Sequence, residues 1–283
     1  MRVPLLCGAS VNRYAAAGFA LFVCILYNGP QVTIVNAETE RRLLDINHSF
    51  YDRFARQFAE SRSTGQASLR RLLDTIGDGD HVLDVGCGDG RAARALDEIG
   101  RSVSYIGVDA SESFVTLARQ RAVVLRQTSA AFVCADVTQA DWLRQLPTTS
   151  FDCVLSLAVL HHIPGQEARQ RLVEQMASRL GASGKLIAST WQFMSSERLR
   201  RKVVPWATVG LDESQLDAGD YLLNWERGGY GLRYCHDIGE DELRLLCEQA
   251  GLVVCDLFLA DKGLNLYVVA KRSQNCLPSA SRM

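Results

Sequence analysis

At 283 residues, 47% of them hydrophobic, the chain can bury a sizeable core and is read as one large α/β domain rather than two small ones. A net charge of −1 excludes a globally basic nucleic-acid binder, so any such partner must be held by a local patch. Nine cysteines without a C-x-x-C pair exclude a disulfide framework or a cysteine-held zinc, and no other metal site is expected; they read as reduced core residues.

The first 37 residues differ in kind from the rest. They contain no Asp or Glu, Arg2 and Arg13 precede an apolar run at 14–27, and Val35-Asn36-Ala37 resembles a small-residue cleavage site. That is the outline of a signal peptide, but a tail added by an upstream start is the preferred reading, with an organelle transit peptide next and secretion last. The run is too short to cross a membrane comfortably, so no stable insertion is expected.

Residues 39–76 carry two helical patterns. Leu43, Leu44, Ile46, Phe50, Phe54 and Phe58 recur at helical spacing, as do Leu69, Leu72, Leu73 and Ile76 before a Gly77-Asp78-Gly79 turn. The break between them holds Arg62. Residues 81–85, His-Val-Leu-Asp-Val, then read as a buried parallel strand. Gly86, Gly88 and Gly90 follow at alternate positions, and residues 91–96 open a helix. Such a loop lets a ligand approach the backbone, and the helix presents free N–H groups to it. Charge decides which ligand. A dinucleotide fold spaces its glycines G-x-G-x-x-G and seats a pyrophosphate there. Here the spacing is G-x-G-x-G, Asp84 precedes the loop, Asp89 lies inside it, and Asp109 and Asp136 close the next two strands. Four acids suit a cation and repel a pyrophosphate.

The alternation continues. Residues 103–108 predict a second strand ending at Asp109, with Ser111 as N-cap of a helix through Arg121. Residues 131–134 predict a third strand ending at Asp136, 151–157 a fourth, 186–191 a fifth after a turn at Gly184, 252–259 a sixth and 264–270 a seventh. The tight Asp261-Lys262-Gly263 connection predicts a hairpin, and hence an antiparallel last strand. The pattern predicts a Rossmann-like, doubly wound α/β sheet with its ligand at the carboxyl edge. Residues 192–236 form a long insertion before the last helix, a candidate substrate-side element. The domain is placed at 38–272, with a flexible tail at 273–283.

With this loop and these strand-ending acids the chain resembles the class I S-adenosylmethionine-dependent methyltransferases, whose first motif is D-x-G-x-G-x-G. The resemblance implies S-adenosylmethionine as cofactor and, because that is a cytosolic or organellar metabolite, a cytoplasmic enzyme, with organelle targeting or membrane attachment left open by residues 1–37. Asp109 is then expected to take both ribose hydroxyls, Asp136 the adenine amino group, and Val137 the adenine face. Asp84, Gly86 and Gly88 are assigned to the methionine portion, and Leu157 stands where the transferable methyl should lie. His161, just beyond, is either a general base or a packed histidine; packing is the reading for His162.

A narrower resemblance follows from Tyr51-Asp52 with Phe58 and Ser61-Arg62, Val159 to His162, Val204-Pro205-Trp206 and Arg233-Tyr234-Cys235-His236. In this order these elements are similar to those of the tRNA methyltransferases that esterify 5-carboxymethyluridine at the wobble position. Gln66-Ala67-Ser68 and Pro164-Gly165 depart from that pattern. The resemblance implies a tRNA substrate, a carboxylate acceptor held by Arg62 and Arg233, and substrate contacts from Trp206, Tyr234 and His236. It also suggests a small activating subunit. A small-molecule O- or C-methyltransferase and a non-catalytic cofactor-binding partner remain the alternatives.

Overall fold

Val82, Leu83, Asp84 and Val85 are all buried, as a strand with helices on both its faces requires, and they lie in β1 (His81–Val85). The computed structural model describes residues 35–62, 64–147 and 149–272. The readings made for 1–34 and for the tail from 273 lie outside the described residues.

Around β1 stand β2 (Ser104–Asp109), β3 (Ser129–Cys134), β4 (Phe151–Leu157), β5 (Leu180–Trp191), β9 (Leu252–Ala260) and β10 (Asn265–Arg272). The order is β3-β2-β1-β4-β5-β10-β9, parallel from β1 to β5, with β10 antiparallel to both neighbours. The sheet is therefore seven-stranded and Rossmann-like. Strand order reverses at β1, which opens a crevice above the carboxyl ends of β1, β2 and β4. One face packs on α2 (Ala67–Leu73), α3 (Arg91–Glu98) and α4 (Glu112–Ala122) through Leu69, Ala95, Leu96 and Val115. The other packs on α5 (Gln166–Ser178) and α7 (Glu240–Gln249) through Leu172, Val173, Met176, Leu243 and Leu246. Ser111 caps α4 as expected, accepting from Phe114 N.

One local reading changes. Gly184 lies inside β5 rather than at a turn before it: a Cβ there would sit 2.8 Å from the Phe151 carbonyl, where the β4–β5 register slips. The insertion carries secondary structure of its own. It forms a three-stranded antiparallel sheet of β6 (Val203–Val204), β7 (Asp220–Trp225) and β8 (Gly231–His236), with a short helix α6 (Glu197–Arg200) ahead of it. Its core residues Trp206, Leu211, Leu216, Leu222 and Tyr234 pack on Leu43 of the first helix, α1 (Ala37–Glu60).

Two residues ahead of α1 take part in its packing. Val35, 4% exposed, joins that same cluster, and the Asn36 side chain caps α1 by accepting from Thr39 N at 2.9 Å. The cap contributes about 1 kcal/mol and the valine about 1.5–3 kcal/mol. A chain starting at Ala37 should therefore melt well below one starting at Thr33, at about 2–4 °C per kcal/mol. Equal melting temperatures in a thermal scan would show that neither residue matters to the fold.

Candidate active site

The crevice is roofed by α1. Leu44, Asn47, His48, Tyr51, Phe58, Ala59 and Arg62 lie at offsets of 3, 4, 7, 14, 15 and 18 from Leu44, close to whole turns, so one stripe of the helix and the turn after it line a single cavity. The floor is Gly86 to Asp89 and Arg91 after β1, Asp109 and Ala110 after β2, Asp136 to Thr138 after β3, and Leu157 to Val159 after β4. Of the residues assigned to the cofactor, Gly86, Gly88, Asp109, Asp136, Val137 and Leu157 are in this wall. Gly86 needs to be glycine twice over: φ is +74°, and a Cβ would fall 2.3 Å from Val159.

Asp109 is held as an acceptor. Gly88 N donates to Oδ2 at 2.8 Å and Ser111 N to Oδ1 at 2.9 Å, leaving one lone pair on each oxygen for the cavity. Burial raises its pKa to about 6 despite those two N–H groups, and nearby Asp52 adds to the rise. Asp136 accepts from the Thr138 backbone N–H and hydroxyl, and His48 stands 3.8 Å from its other oxygen. Asp84 is 2% exposed; it accepts from the Tyr105 hydroxyl, yet Oδ1 has no hydrogen-bond partner among the described residues. Burial raises it to about 6. Asp84 is not among the lining residues, so its place is beneath the loop. Asp89 was counted among four acids open to a cation; Arg94 at 2.7 Å and Arg121 pair with it instead, tying α3 and α4 to the loop.

At the other end the cavity is cationic. Arg62 is surface-exposed in area but crowded, its guanidinium 4.6 Å from the Phe58 ring, and burial together with Arg91 and Arg233 lowers it to about 10. Arg233 is 5% exposed and sits in a cage of Trp191 at 4.5 Å, Phe50 and Trp225 at 5.6 Å and Phe58 at 6.0 Å. No carboxylate lies within ion-pair distance of either arginine among the described residues. Arg233 does not line the cavity; it backs Tyr51, which does.

His161 takes the packed position that was one of its two readings, and His162 reaches the cavity. His161, 1% exposed, accepts from Trp191 N at 3.3 Å, is held neutral by burial and does not line the cavity. His162 does. Its Nδ1 faces the Tyr234 carbonyl at 3.0 Å, so that nitrogen carries the proton and Nε2 accepts from the Tyr51 hydroxyl at 2.6 Å. Burial and the nearby Arg233 lower His162 to about 3, while burial raises Tyr51 to about 12 against the pull of Arg233. Both stay neutral at physiological pH. Tyr51, His162 and Arg91 were missed as site residues; the i, i+3, i+4 stripe of α1 carried the signal for the first.

The three residues assigned to substrate lie elsewhere. Trp206 is in the insertion core, Tyr234 is fully buried with its hydroxyl donating to Asp220 at 2.7 Å, and His236 bridges Asp220 at 2.6 Å and Glu242 at 3.1 Å beside Arg169. His236 thereby fastens the insertion to α5 and α7. Burial alone would lower His236, but its hydrogen bonds to Asp220 and Glu242 outweigh that and raise it. A raised folded-state pKa contributes stability that is full below the unfolded value near about 6.5 and is lost as pH rises through the folded value. Melting of the native protein should therefore fall more steeply between pH 6 and 9 than that of His236→Gln; parallel curves would contradict this reading.

The comparisons agree with this geometry. A family model described as a methyltransferase domain matches residues 82–184, which run from β1 into β5. A protein of Encephalitozoon cuniculi named as a methyltransferase is 30% identical over 210 residues, covering 74% of this chain and 88% of its own length. The chain belongs to the S-adenosylmethionine-dependent methyltransferases. This methyltransferase is also 28% identical over 162 residues, 57% of its length, to the tRNA (carboxymethyluridine(34)-5-O)-methyltransferase of Xenopus tropicalis, of which it spans only 23%. Among solved structures it shares its fold with magnesium protoporphyrin IX methyltransferase from Synechocystis with bound S-adenosylhomocysteine, at a TM-score of 0.56 and 19% identity, covering 81% of this chain and 99% of that one.

The residues present suit the cofactor. A Cβ at Gly88 would meet nothing within 4 Å, so the loop leaves open space beside Asp109, whose free lone pairs match two ribose hydroxyls. No group of three or more metal-ligating side chains occurs among the described residues, and no described helix is long and apolar enough to cross a membrane.

Proposed function

We propose that this methyltransferase esterifies a carboxylate, namely the 5-carboxymethyl group of a tRNA wobble uridine. The observation that carries the reading is the end of the cavity beside Arg62: it is cationic, and the histidine in its wall, His162, has both ring nitrogens engaged by the Tyr51 hydroxyl and the Tyr234 carbonyl. Arg62, Arg233 and His162 act on one another's ionisation and so stand together, and the only histidine of the three is neutral down to about pH 3.

A hydroxyl acceptor must lose a proton in the transfer, whereas a carboxylate with a pKa near about 4 arrives ionised. Bound S-adenosylmethionine supplies an electrophilic methyl on a sulfonium. Arg62 holds the acceptor by charge-assisted hydrogen bonds and leaves one oxygen lone pair directed at that methyl, so orientation replaces base catalysis. Arg233, caged by four aromatic rings, keeps Tyr51 oriented and the field positive. Tyr51 and His162 fix the wall without moving a proton. The tRNA part of the reading is supported by the activity named for the Xenopus relative and by exposed Arg198 and Arg200 on α6, whose neighbour Arg201 is paired with Glu197.

The pH dependence of kcat/KM tests it. With a carboxylate acceptor the profile should be flat between pH 7 and 9; a tenfold rise per pH unit would mean that an acceptor hydroxyl is being ionised, and the small-molecule reading would replace this one.

A further inference from the structure

Asp261 occupies the tip of the β9–β10 hairpin with φ +55°, and its carboxylate does more than close the turn. It accepts from Gln66 Nε2 at 2.6 Å, Ser68 Oγ at 2.8 Å, Asn265 Nδ2 at 2.7 Å and the Tyr267 hydroxyl at 3.3 Å. An ionised Asp261 allows the Gln66 amide one orientation: the NH2 group faces the carboxylate, so Oε1 points away from it. There Oε1 accepts from Arg91 Nη1 at 3.0 Å. Arg91 is the first residue of α3, directly after the glycine loop, and it lines the cavity with Gly86 and Gly88.

We infer that Arg91 grips the carboxylate of the amino-acid end of S-adenosylmethionine, and that Asp261, acting through Gln66, is the positioning residue that aims it. The amino-acid end carries a carboxylate, and Arg91 supplies a cation in the cavity wall beside the glycine loop. The neutral amide oxygen of Gln66 orients a guanidinium without cancelling its charge, whereas a carboxylate in its place would form an ion pair and compete with the ligand. Arg62 is thereby left for the acceptor. The inference concerns the cofactor alone and holds whatever the acceptor is.

The test is calorimetry with two ligands, S-adenosylmethionine and its decarboxylated form, which keeps the adenosine, sulfonium and amine but lacks the carboxylate. Arg91→Gln should weaken S-adenosylmethionine roughly 10- to 100-fold and change the decarboxylated ligand less than about threefold. Gln66→Leu should give a smaller loss, roughly 3- to 10-fold, with the same selectivity, and Arg91→Lys should recover part of the affinity. Equal losses for both ligands would assign Arg91 a merely structural role and overturn the inference, as would undiminished S-adenosylmethionine affinity in Arg91→Gln. No acceptor is present in the assay, so its failure is separate from failure of the carboxylate-acceptor reading.

Discussion

Replacing Asp109 by Ala is expected to weaken S-adenosylmethionine binding by about 2–4 kcal/mol, roughly 30- to 900-fold. The size follows from the setting: both oxygens are already oriented by Gly88 N and Ser111 N, so the two hydrogen bonds offered to a ribose need no rearrangement. Asp109→Asn should do nearly as badly, because its NH2 group must face one of those two N–H donors. Since the carboxyl is raised to about 6, affinity in the native protein should be full above that pH and should fall as pH drops through it. Isothermal calorimetry at pH 5 and pH 8 reads both effects. A folded Asp109→Ala protein that binds as tightly as the native one would remove Asp109 from the site.

The second large effect is expected at Arg62. Arg62→Lys keeps the charge but loses the planar fork and the stacking on Phe58, so turnover should fall roughly 10- to 100-fold, about 1.4–2.7 kcal/mol, with cofactor affinity nearly unchanged. His161→Ala should cost less than that in kcat, because His161 lies behind the wall and acts through packing. The reverse order, with Arg62→Lys active and His161→Ala inactive, would move the chemistry from an oriented carboxylate to a base-dependent acceptor.

How far these residues were readable from the sequence depends on how local their constraints are. Strand-ending acids and alternating glycines are local, and Gly86, Gly88, Asp109 and Asp136 were assigned to the wall they occupy. Whether a side chain near the insertion faces the cavity depends on strand pairing far along the chain. Tyr234 and His236 sit on β8, whose register against β7 turns them toward Asp220 and away from the cofactor. Trp206 packs with Val35 and Leu43 for the same kind of reason. The histidine pair shows the limit most simply: adjacent residues in a short helical turn point in different directions, and only the Tyr51 hydroxyl and the Tyr234 carbonyl decide which one reaches the cavity. Asp89 failed differently, since Arg94 is local but Arg121 comes from the next helix.

The central claim, transfer of a methyl group to a wobble carboxymethyluridine, is tested most directly by mass spectrometry of tRNA nucleosides from cells with and without this protein, which keeps any activating subunit in place. The account predicts that the methyl ester of 5-carboxymethyluridine disappears in the cells lacking it and that the free acid accumulates. Unchanged ester levels in those cells would contradict it.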